Sequence, residues 1–455
     1  IVDLSPAGHQ PMLSATGRFV LAYNGEVYNH LELRRDLELA GAAPAWRGHS
    51  DTETLLACIE AWGLELTLQR CVGMFAFAVW DRQQKTLVLA RDRAGEKPLY
   101  YGWQGDVFLF GSELKALRAF GGFKAPIDRG ALALFLRHNY IPAPYSIHVG
   151  IFKLPPGTWL ELGQGQREAA PRAYWSLARI AEQGTAEPFS GSEADAIDEL
   201  QRLLLGAVAG QSMADVPLGA LLSGGIDSSL ITALMQSQSR QPVRTFTIGF
   251  EEKAYDEAVH ARAVARHLGA EHTELHLSAN DALALVPALP SMYDEPFADS
   301  SQLPTHLVMS LARKHVTVAL SGDAGDEFFG GYTRYLLAPE LWRRIGWMPP
   351  SLRRAAGAAM QALPAEVVNA MTNPLSRWLG VTQLGDKAHK LGERLSHVDD
   401  IDGFYRSLVS EWQGGSNPVI ADRIPSNLVE EGGRWPKLQD PIARMMAVDA
   451  LTYLP

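Results

Sequence analysis

The 455-residue chain carries 41 Lys and Arg against 51 Asp and Glu, a formal net charge of −10, with 47% hydrophobic and 20% charged residues. Those proportions suit a soluble globular protein of two or three domains, and the acidic balance argues against a broad nucleic-acid surface, which needs clustered Lys and Arg. Its longest apolar stretches, such as Gly73 to Trp80 and Val316 to Leu320, fall far short of the roughly twenty residues of a membrane span, so neither nucleic acid nor membrane is an expected partner.

The opening Ile1-Val2-Asp3-Leu4-Ser5-Pro6 lacks the basic start and cleavage site of a secretory signal. The two cysteines, Cys58 and Cys71, sit in ordinary apolar segments, which fits a reducing, cytoplasmic setting and a buried structural role for both. From Phe19 to Tyr101 the pattern predicts short strands at Phe19 to Tyr23, Met74 to Asp81, Thr86 to Arg91 and Leu99 to Trp103, with turns at Asn24-Gly25 and Arg82 to Lys85. Helices are predicted at His30 to Leu39 and Thr52 to Trp62, the second started by Asp51-Thr52-Glu53. This reads as an α+β domain with antiparallel strands.

Between Gly157 and Ser192 periodicity is lost and small polar residues collect, so a linker is expected there. From Glu193 strands and helices alternate. Strands are predicted at Val243 to Phe250, His272 to Leu277 and Val316 to Leu320, with helices from Asp256 to Gly269 and Leu303 to His315. Such alternation implies a mostly parallel α/β sheet that binds ligands at the strand C-termini. Leu336 to Arg444 reads as helical and loop-rich.

Two loops carry the chemistry. Ser223-Gly224-Gly225-Ile226-Asp227-Ser228-Ser229 lies between an apolar strand-like stretch, Val216 to Leu222, and a helix-like one, Leu230 to Met235. Paired glycines let backbone N–H groups approach phosphate, the following helix adds its positive end, and the serines add hydroxyl donors. Asp227 repels phosphate, so it argues for a bridging Mg²⁺. No Gly-Lys dipeptide occurs in the chain, which disfavours γ-phosphoryl transfer by a P-loop, while a loop of glycine and serine followed by Asp suits a released pyrophosphate and points to attack on an α-phosphate and an adenylated intermediate. The second loop, Ser321-Gly322-Asp323-Ala324-Gly325-Asp326-Glu327-Phe328-Phe329-Gly330-Gly331-Tyr332, also follows a strand. Asp227 and Asp326 are the natural pair for the metal.

These two loops resemble the signatures of the glutamine-dependent asparagine synthetase family. The likeness extends to Asn24-Gly25-Glu26-Val27-Tyr28-Asn29, Gly73 to Ala78, Arg91-Asp92-Arg93 through Lys97-Pro98-Leu99-Tyr100, and Leu154-Pro155-Pro156-Gly157, which are similar to its glutaminase half. The resemblance implies an amino-terminal-nucleophile glutamine amidotransferase domain over residues 1–165, a linker at 166–191 and an ATP-pyrophosphatase synthetase domain over 192–455. It implies that glutamine supplies ammonia while aspartate and ATP form β-aspartyl-AMP. Asn24, Gly25, Glu26 and Asp51 would hold glutamine, and Asn24 and Gly25 would stabilise the oxyanion. Leu222, Ile248, Ser321 and Gly322 match nucleotide-contacting positions, Asp323 stands where some members carry Glu and would support formation of the intermediate, and Tyr332 would line the aspartate side. A homodimer is compatible with this likeness.

Two departures stand out. The family nucleophile is an amino-terminal cysteine whose own α-amine acts as base, whereas the first eleven residues resemble an internal family segment; residues 1–455 alone are therefore expected not to hydrolyse glutamine. Ala447 to Pro455 likewise resembles a point where the family continues into helices with further substrate-binding residues. Other readings stay open: a different carboxylate acceptor, or a non-catalytic ATP-binding protein. A zinc site from His260, His267, His272 and His276 lacks a Cys or a third ligand at metal spacing. Asp294-Glu295-Pro296 is read as shaping the loop before Asp299 rather than as a catalytic carboxylate pair.

Overall fold

The computed structural model describes residues 1–251, 256–362, 364, 367, 369, 384–412, 418–421 and 423–455. The strands, in chain order, are β1 (Met12–Leu13), β2 (Phe19–Val27), β3 (Gly73–Asp81), β4 (Thr86–Arg91), β5 (Tyr100–Gln104), β6 (Val107–Gly111), β7 (Ile151–Lys153), β8 (Thr158–Gly163), β9 (Arg172–Ala173), β10 (Leu218–Leu221), β11 (Arg244–Phe250), β12 (Glu271–Leu277) and β13 (Val318–Leu320). They form three sheets, in the orders β1-β2-β3-β4-β8-β9, β6-β5-β7 and β12-β11-β10-β13. The first two are antiparallel throughout. The third is wholly parallel. Among the described residues no helix is long and apolar enough to cross a membrane.

Strand β3 shows why its sheet is covered on both faces. Phe75, Phe77 and Val79 join Leu21, Leu33, Leu37, Leu55 and Leu56 in one core, beneath the helices His30–Leu39 and Asp51–Trp62. The alternate residues Ala76 and Ala78 face Leu89, Leu99, Leu154 and Leu160 in another. That is the two-residue period of a strand, and each fully buried Leu or Phe stabilises the packing by about 1.5–3 kcal/mol. Ser50 starts the second helix by accepting from the Glu53 N–H (3.2 Å). Asn24 and Gly25 are not a turn: they lie within β2, opposite Ala76 and Phe75. Ladder pairing overrides their local turn preference, and the missing Cβ of Gly25 leaves room for the Met74 carbonyl and Phe75 backbone. The turn at Arg82 to Lys85 does form, with the Asp81 carboxylate accepting from the N–H groups of Gln83 and Gln84.

Ala220 of β10 and Val243, just before β11, pack with Val208, Leu234 and Met235 of the helices Glu193–Gln211 and Ile226–Gln238. Phe246 instead meets Leu311 and Ala312 of the helix Gln302–Ala312. The stretch expected to be a linker is more regular than its composition suggested, since it holds β9 and the helix Leu177–Ala186, capped by Ser176.

By compactness the chain divides into one unit of Ile1–Asp128, Ala143–Gly325 and Leu454–Pro455, and another of Arg129–Pro142 and Asp326–Tyr453. Within the second unit, the helix Arg129–His138 is held by an ion pair of Arg137 with Glu430, by His138 Nδ1 at 3.2 Å from the Val409 carbonyl, and by Asn139 donating to Glu411 (3.3 Å). Its core gathers Tyr335, Phe404, Tyr405, Val429, Trp435, Met445 and Val448. At its centre the buried Asp449 carboxylate accepts from Arg334 Nε (2.9 Å), Tyr335 OH (2.6 Å) and Tyr405 OH (2.5 Å).

Candidate functional site

Strand order β12-β11-β10-β13 means that the chain leaves β10 in one direction and returns to the other side of it at β13. The crevice beyond the C-terminal ends of β10 and β13 is therefore a topological switch point, where open α/β sheets bind ligands. Both signature loops begin there. Ser223 to Gly225 follow β10 and open the helix Ile226–Gln238, whose cap residue Gly225 makes no side-chain capping bond. The first N–H groups of that helix thus lack a side-chain cap at an end that favours anions.

The first loop is closed on itself. The Ser223 N–H donates to Ser228 Oγ (3.2 Å), the two serine hydroxyls lie 2.9 Å apart, and the Gly225 N–H donates to Ser223 Oγ (3.2 Å). Gly224 has φ +86°, and a Cβ there would stand 2.6 Å from the Ala261 nitrogen, so the helix Ala258–Leu268 comes down on the loop only because position 224 is glycine. Ser229 Oγ is buried with no hydrogen-bond partner among the described residues. A buried hydroxyl left unmatched costs about 1–3 kcal/mol, which a phosphate oxygen would recover.

The second loop meets the first directly. A Cβ on Gly322 would fall 2.8 Å from the Ser228 nitrogen and 2.9 Å from the Asp227 carbonyl carbon, and one on Gly325 would fall 2.6 Å from Asp227 Cγ. The sequence-predicted residues Ser223, Gly224, Gly225, Asp227, Ser228, Ser229 and Gly322 are thus brought together. Ser321 Oγ donates to Asp323 (2.8 Å) beside them. Leu222 is buried, with its N–H donating to the Phe246 carbonyl (2.9 Å), and Ile248 lies in β11 opposite Leu275 of β12. Asp326 follows Gly325 in the chain and belongs to the other compact unit, where Tyr332 donates to Glu327 (2.8 Å).

The donor chemistry at Asp227 fits Mg²⁺, since its carboxylate, set against the Gly325 turn, supplies hard oxygens. Among the described residues no group of three or more His, Cys, Asp or Glu side chains could hold an ion. A cation would therefore complete its shell with phosphate and water oxygens, as Mg²⁺ does at nucleotide sites. His272 and His276 lie 3.3 and 3.5 Å from the Glu274 carboxylate, which Arg262 also holds at 2.5 Å.

In the amino-terminal part, Asn24, Gly25 and Glu26 are consecutive on β2. Glu26 is buried, its pKa is raised by that burial, and Oε1 has no partner among the described residues. Asn24 Nδ2 donates to Ser112 Oγ (2.9 Å). Asp51, at the start of its helix, accepts from Tyr23 OH (2.7 Å), the Val27 N–H (2.8 Å) and the Thr52 N–H (2.8 Å), so it ties the helix to the end of β2 next to Glu26. Both cysteines are buried. Burial pushes the Cys58 thiol up to about 12 and raises that of Cys71 further.

Arg91 and Asp92, which the sequence marked only as part of the family likeness, prove to be two buried organisers. Asp92, fully buried, accepts from the N–H groups of Phe75 (3.0 Å), Gly95 (2.6 Å), Glu96 (3.0 Å) and Lys97 (3.0 Å). Arg91 donates to the carbonyls of Lys97, Gly95 and Leu154. The visible signal was an Arg-Asp pair ending an apolar strand, where a charge must find internal partners.

Comparison with known proteins agrees with this geometry. The asparagine synthase family matches residues 199–455, and the glutamine amidotransferase domain matches residues 1–175. A Mycobacterium tuberculosis (strain H37Rv) protein, provisionally named asparagine synthetase (glutamine-hydrolyzing), is 35% identical over 464 residues, spanning 100% of this chain and 67% of the relative. Asparagine synthetase (glutamine-hydrolyzing) 1 of Bacillus subtilis (strain 168) is 32% identical over 335 residues, 74% of this chain and 51% of the relative. A Gibberella zeae protein named amidase chry2 is 29% identical over 359 residues, covering 74% of this chain and 50% of the relative. The chain thus spans between half and two thirds of the length of these relatives.

Proposed function

Because the chain belongs to the asparagine synthase family of carbon–nitrogen ligases and carries a glutamine amidotransferase domain ahead of its synthase region, we propose that it makes asparagine from aspartate, ATP and the amide nitrogen of glutamine. The observation that carries this reading is the contact of the two signature loops at the switch point, with Gly322 against Asp227 and Ser228 and Gly325 against the Asp227 carboxylate.

In this reading the uncapped N–H groups of the helix Ile226–Gln238 and the unmatched Ser229 hydroxyl take the pyrophosphate of ATP. Asp227 and Asp326 would hold Mg²⁺, which when bound neutralises polyphosphate charge. A side-chain carboxylate oxygen of aspartate attacks the α-phosphorus and expels pyrophosphate, giving β-aspartyl-AMP. Ammonia then attacks the acyl carbon, AMP leaves with the electron pair of the broken C–O bond, and the nitrogen loses a proton to give the amide. Asp323, hydrogen-bonded to Ser321, supports the first of these steps. On the glutaminase side, the open oxygen of Glu26 takes the α-ammonium of glutamine with Asp51 behind it, and Asn24 and Gly25 donate to the developing oxyanion.

Incubation of the intact enzyme with labelled aspartate, ATP, Mg²⁺ and either glutamine or ammonia should yield labelled asparagine, AMP and pyrophosphate in equal amounts. Formation of ADP and phosphate instead would refute adenylation. The likeness to a relative named amidase favours one second reading, in which another carboxylate is the acceptor. Under it, labelled aspartate stays unchanged while a different acid stimulates pyrophosphate release.

A further inference from the structure

Asp294 and Glu295 precede the helix that leads to β13 and the second signature loop, yet their partners lie far back in the chain. Glu295 Oε1 accepts from the Ile147 N–H (2.7 Å), while Oε2 meets Lys153 Nζ at 2.6 Å and Tyr100 OH at 3.4 Å. Both charged side chains are largely buried, 16% exposed for Lys153 and 10% for Glu295. Asp294 accepts from the Lys115 N–H (3.1 Å), and its carbonyl accepts from Arg118 Nη2 (2.9 Å). Tyr100 and Lys153 sit on β5 and β7, and Lys115 and Arg118 on the helix after β6. One small antiparallel sheet of the amidotransferase region thus grips a loop of the synthase region.

A buried ion pair contributes little net stability against an apolar replacement of similar volume, and its best-attested use is to fix one arrangement among several. Here it fixes the segment Tyr293–Asp299, whose far end is ordered by the Ser301 N–H donating to Asp299 (2.7 Å) just before the helix Gln302–Ala312. That helix packs Leu311 and Ala312 under Phe246 of β11, so the loop is anchored to the body of the synthase region at one end and to the amidotransferase region at the other.

Resting on the proposed function, we propose that Glu295, with Lys153 and Tyr100, is a positioning lock that holds the glutamine-hydrolysing and adenylating regions in the register needed for nitrogen from glutamine to reach the acyl-adenylate. Glu295 touches no reacting atom in this role. It acts through the loop.

The test uses the intact enzyme and reads asparagine formed per glutamate released, beside ammonia-driven asparagine synthesis. Glu295→Gln should lower the asparagine-to-glutamate ratio by at least about threefold, with ammonia-driven kcat/KM for aspartate staying within about twofold of wild type. Should that variant fail to fold because Lys153 is left buried and unpaired, Glu295→Leu/Lys153→Met removes both charges and is expected to fold. It still loses the Ile147 bond and should show the same uncoupling. An undiminished ratio in the double variant overturns the lock, as does an ammonia-driven rate that falls in parallel with the ratio. Wild-type enzyme that forms no asparagine from ammonia, ATP and aspartate refutes the underlying function instead.

Discussion

Replacing Gly322 by Ala tests whether the contact between the two signature loops governs adenylation. The new Cβ would lie 2.8 Å from the Ser228 nitrogen and 2.9 Å from the Asp227 carbonyl carbon, against the 3.4 Å at which ordinary contact begins. Both obstructing atoms are backbone, so no side chain can turn aside. The first turn of the helix Ile226–Gln238 must retreat by about 0.6 Å from the loop after β13. Overpacking of this kind costs about 1–3 kcal/mol of stability. A misplacement of ~1 Å in a reacting constellation costs ~100-fold in rate, so a shift of this size should lower aspartate-dependent pyrophosphate release about tenfold. A thermal melt on the same samples separates the two effects. Gly206→Ala is the control: nothing lies within 4 Å of its added methyl, it is inside the helix Glu193–Gln211, and it should stabilise by up to ~1 kcal/mol with unchanged rate. Pyrophosphate release within twofold of wild type in Gly322→Ala would show that the loops are not coupled in the way argued.

Further outcomes follow from the same geometry. Asp227→Asn and Asp326→Asn should each weaken Mg²⁺-ATP binding about tenfold or more by titration calorimetry, because each loses a hard anionic ligand; unchanged affinity in both removes them from the metal site. Asp449→Asn, which strands Arg334 beside Tyr335 and Tyr405, should cost about 3–5 kcal/mol in urea unfolding followed by Trp342 and Trp435 fluorescence, and a loss under ~1 kcal/mol contradicts that assignment. Burial pushes the His138 imidazole down to about 4, below its ordinary value of about 6.5. The unfolded chain therefore takes up the extra proton, and the stability His138 contributes is complete above pH ~6.5 and lost as pH falls toward 4, by ~3 kcal/mol; a His138→Gln variant with the same pH slope would remove this residue as the cause. Native protein should leave Cys58 and Cys71 unmodified by a thiol reagent at pH 8, since burial holds both thiols protonated, and both should react once the chain is unfolded.

Much of the site was legible because its logic is local. A strand followed by glycines, serines and an Asp announces a phosphate-binding loop, and parallel alternation tells where such loops gather. Asn24-Gly25 misled because a turn-forming dipeptide was read without its partner strand, whereas pairing with β3 decides its conformation. The helix Leu177–Ala186 was hidden by small polar neighbours in the stretch expected to be a linker. Glu295 and Asp449 were opaque for another reason. Their meaning depends on partners 148 and 114 residues away, Ile147 and Tyr335, and no local pattern marks such pairs.

The helix Arg129–His138 folds with residues that emerge much later from the ribosome. Its partners begin at Asp326 and run to Tyr453, so at ~5–20 residues per second the segment waits on the order of 10 seconds to a minute before Val409, Glu411 and Glu430 exist to receive it. Throughout that interval Ala131, Ala133 and Leu134, buried in the finished protein, have no permanent cover. A chaperone that holds short apolar helices would find its binding window here. Slower codons placed between Pro142 and Asp326 would widen that window, and a gene split in the expected linker would remove the helix from the unit that needs it.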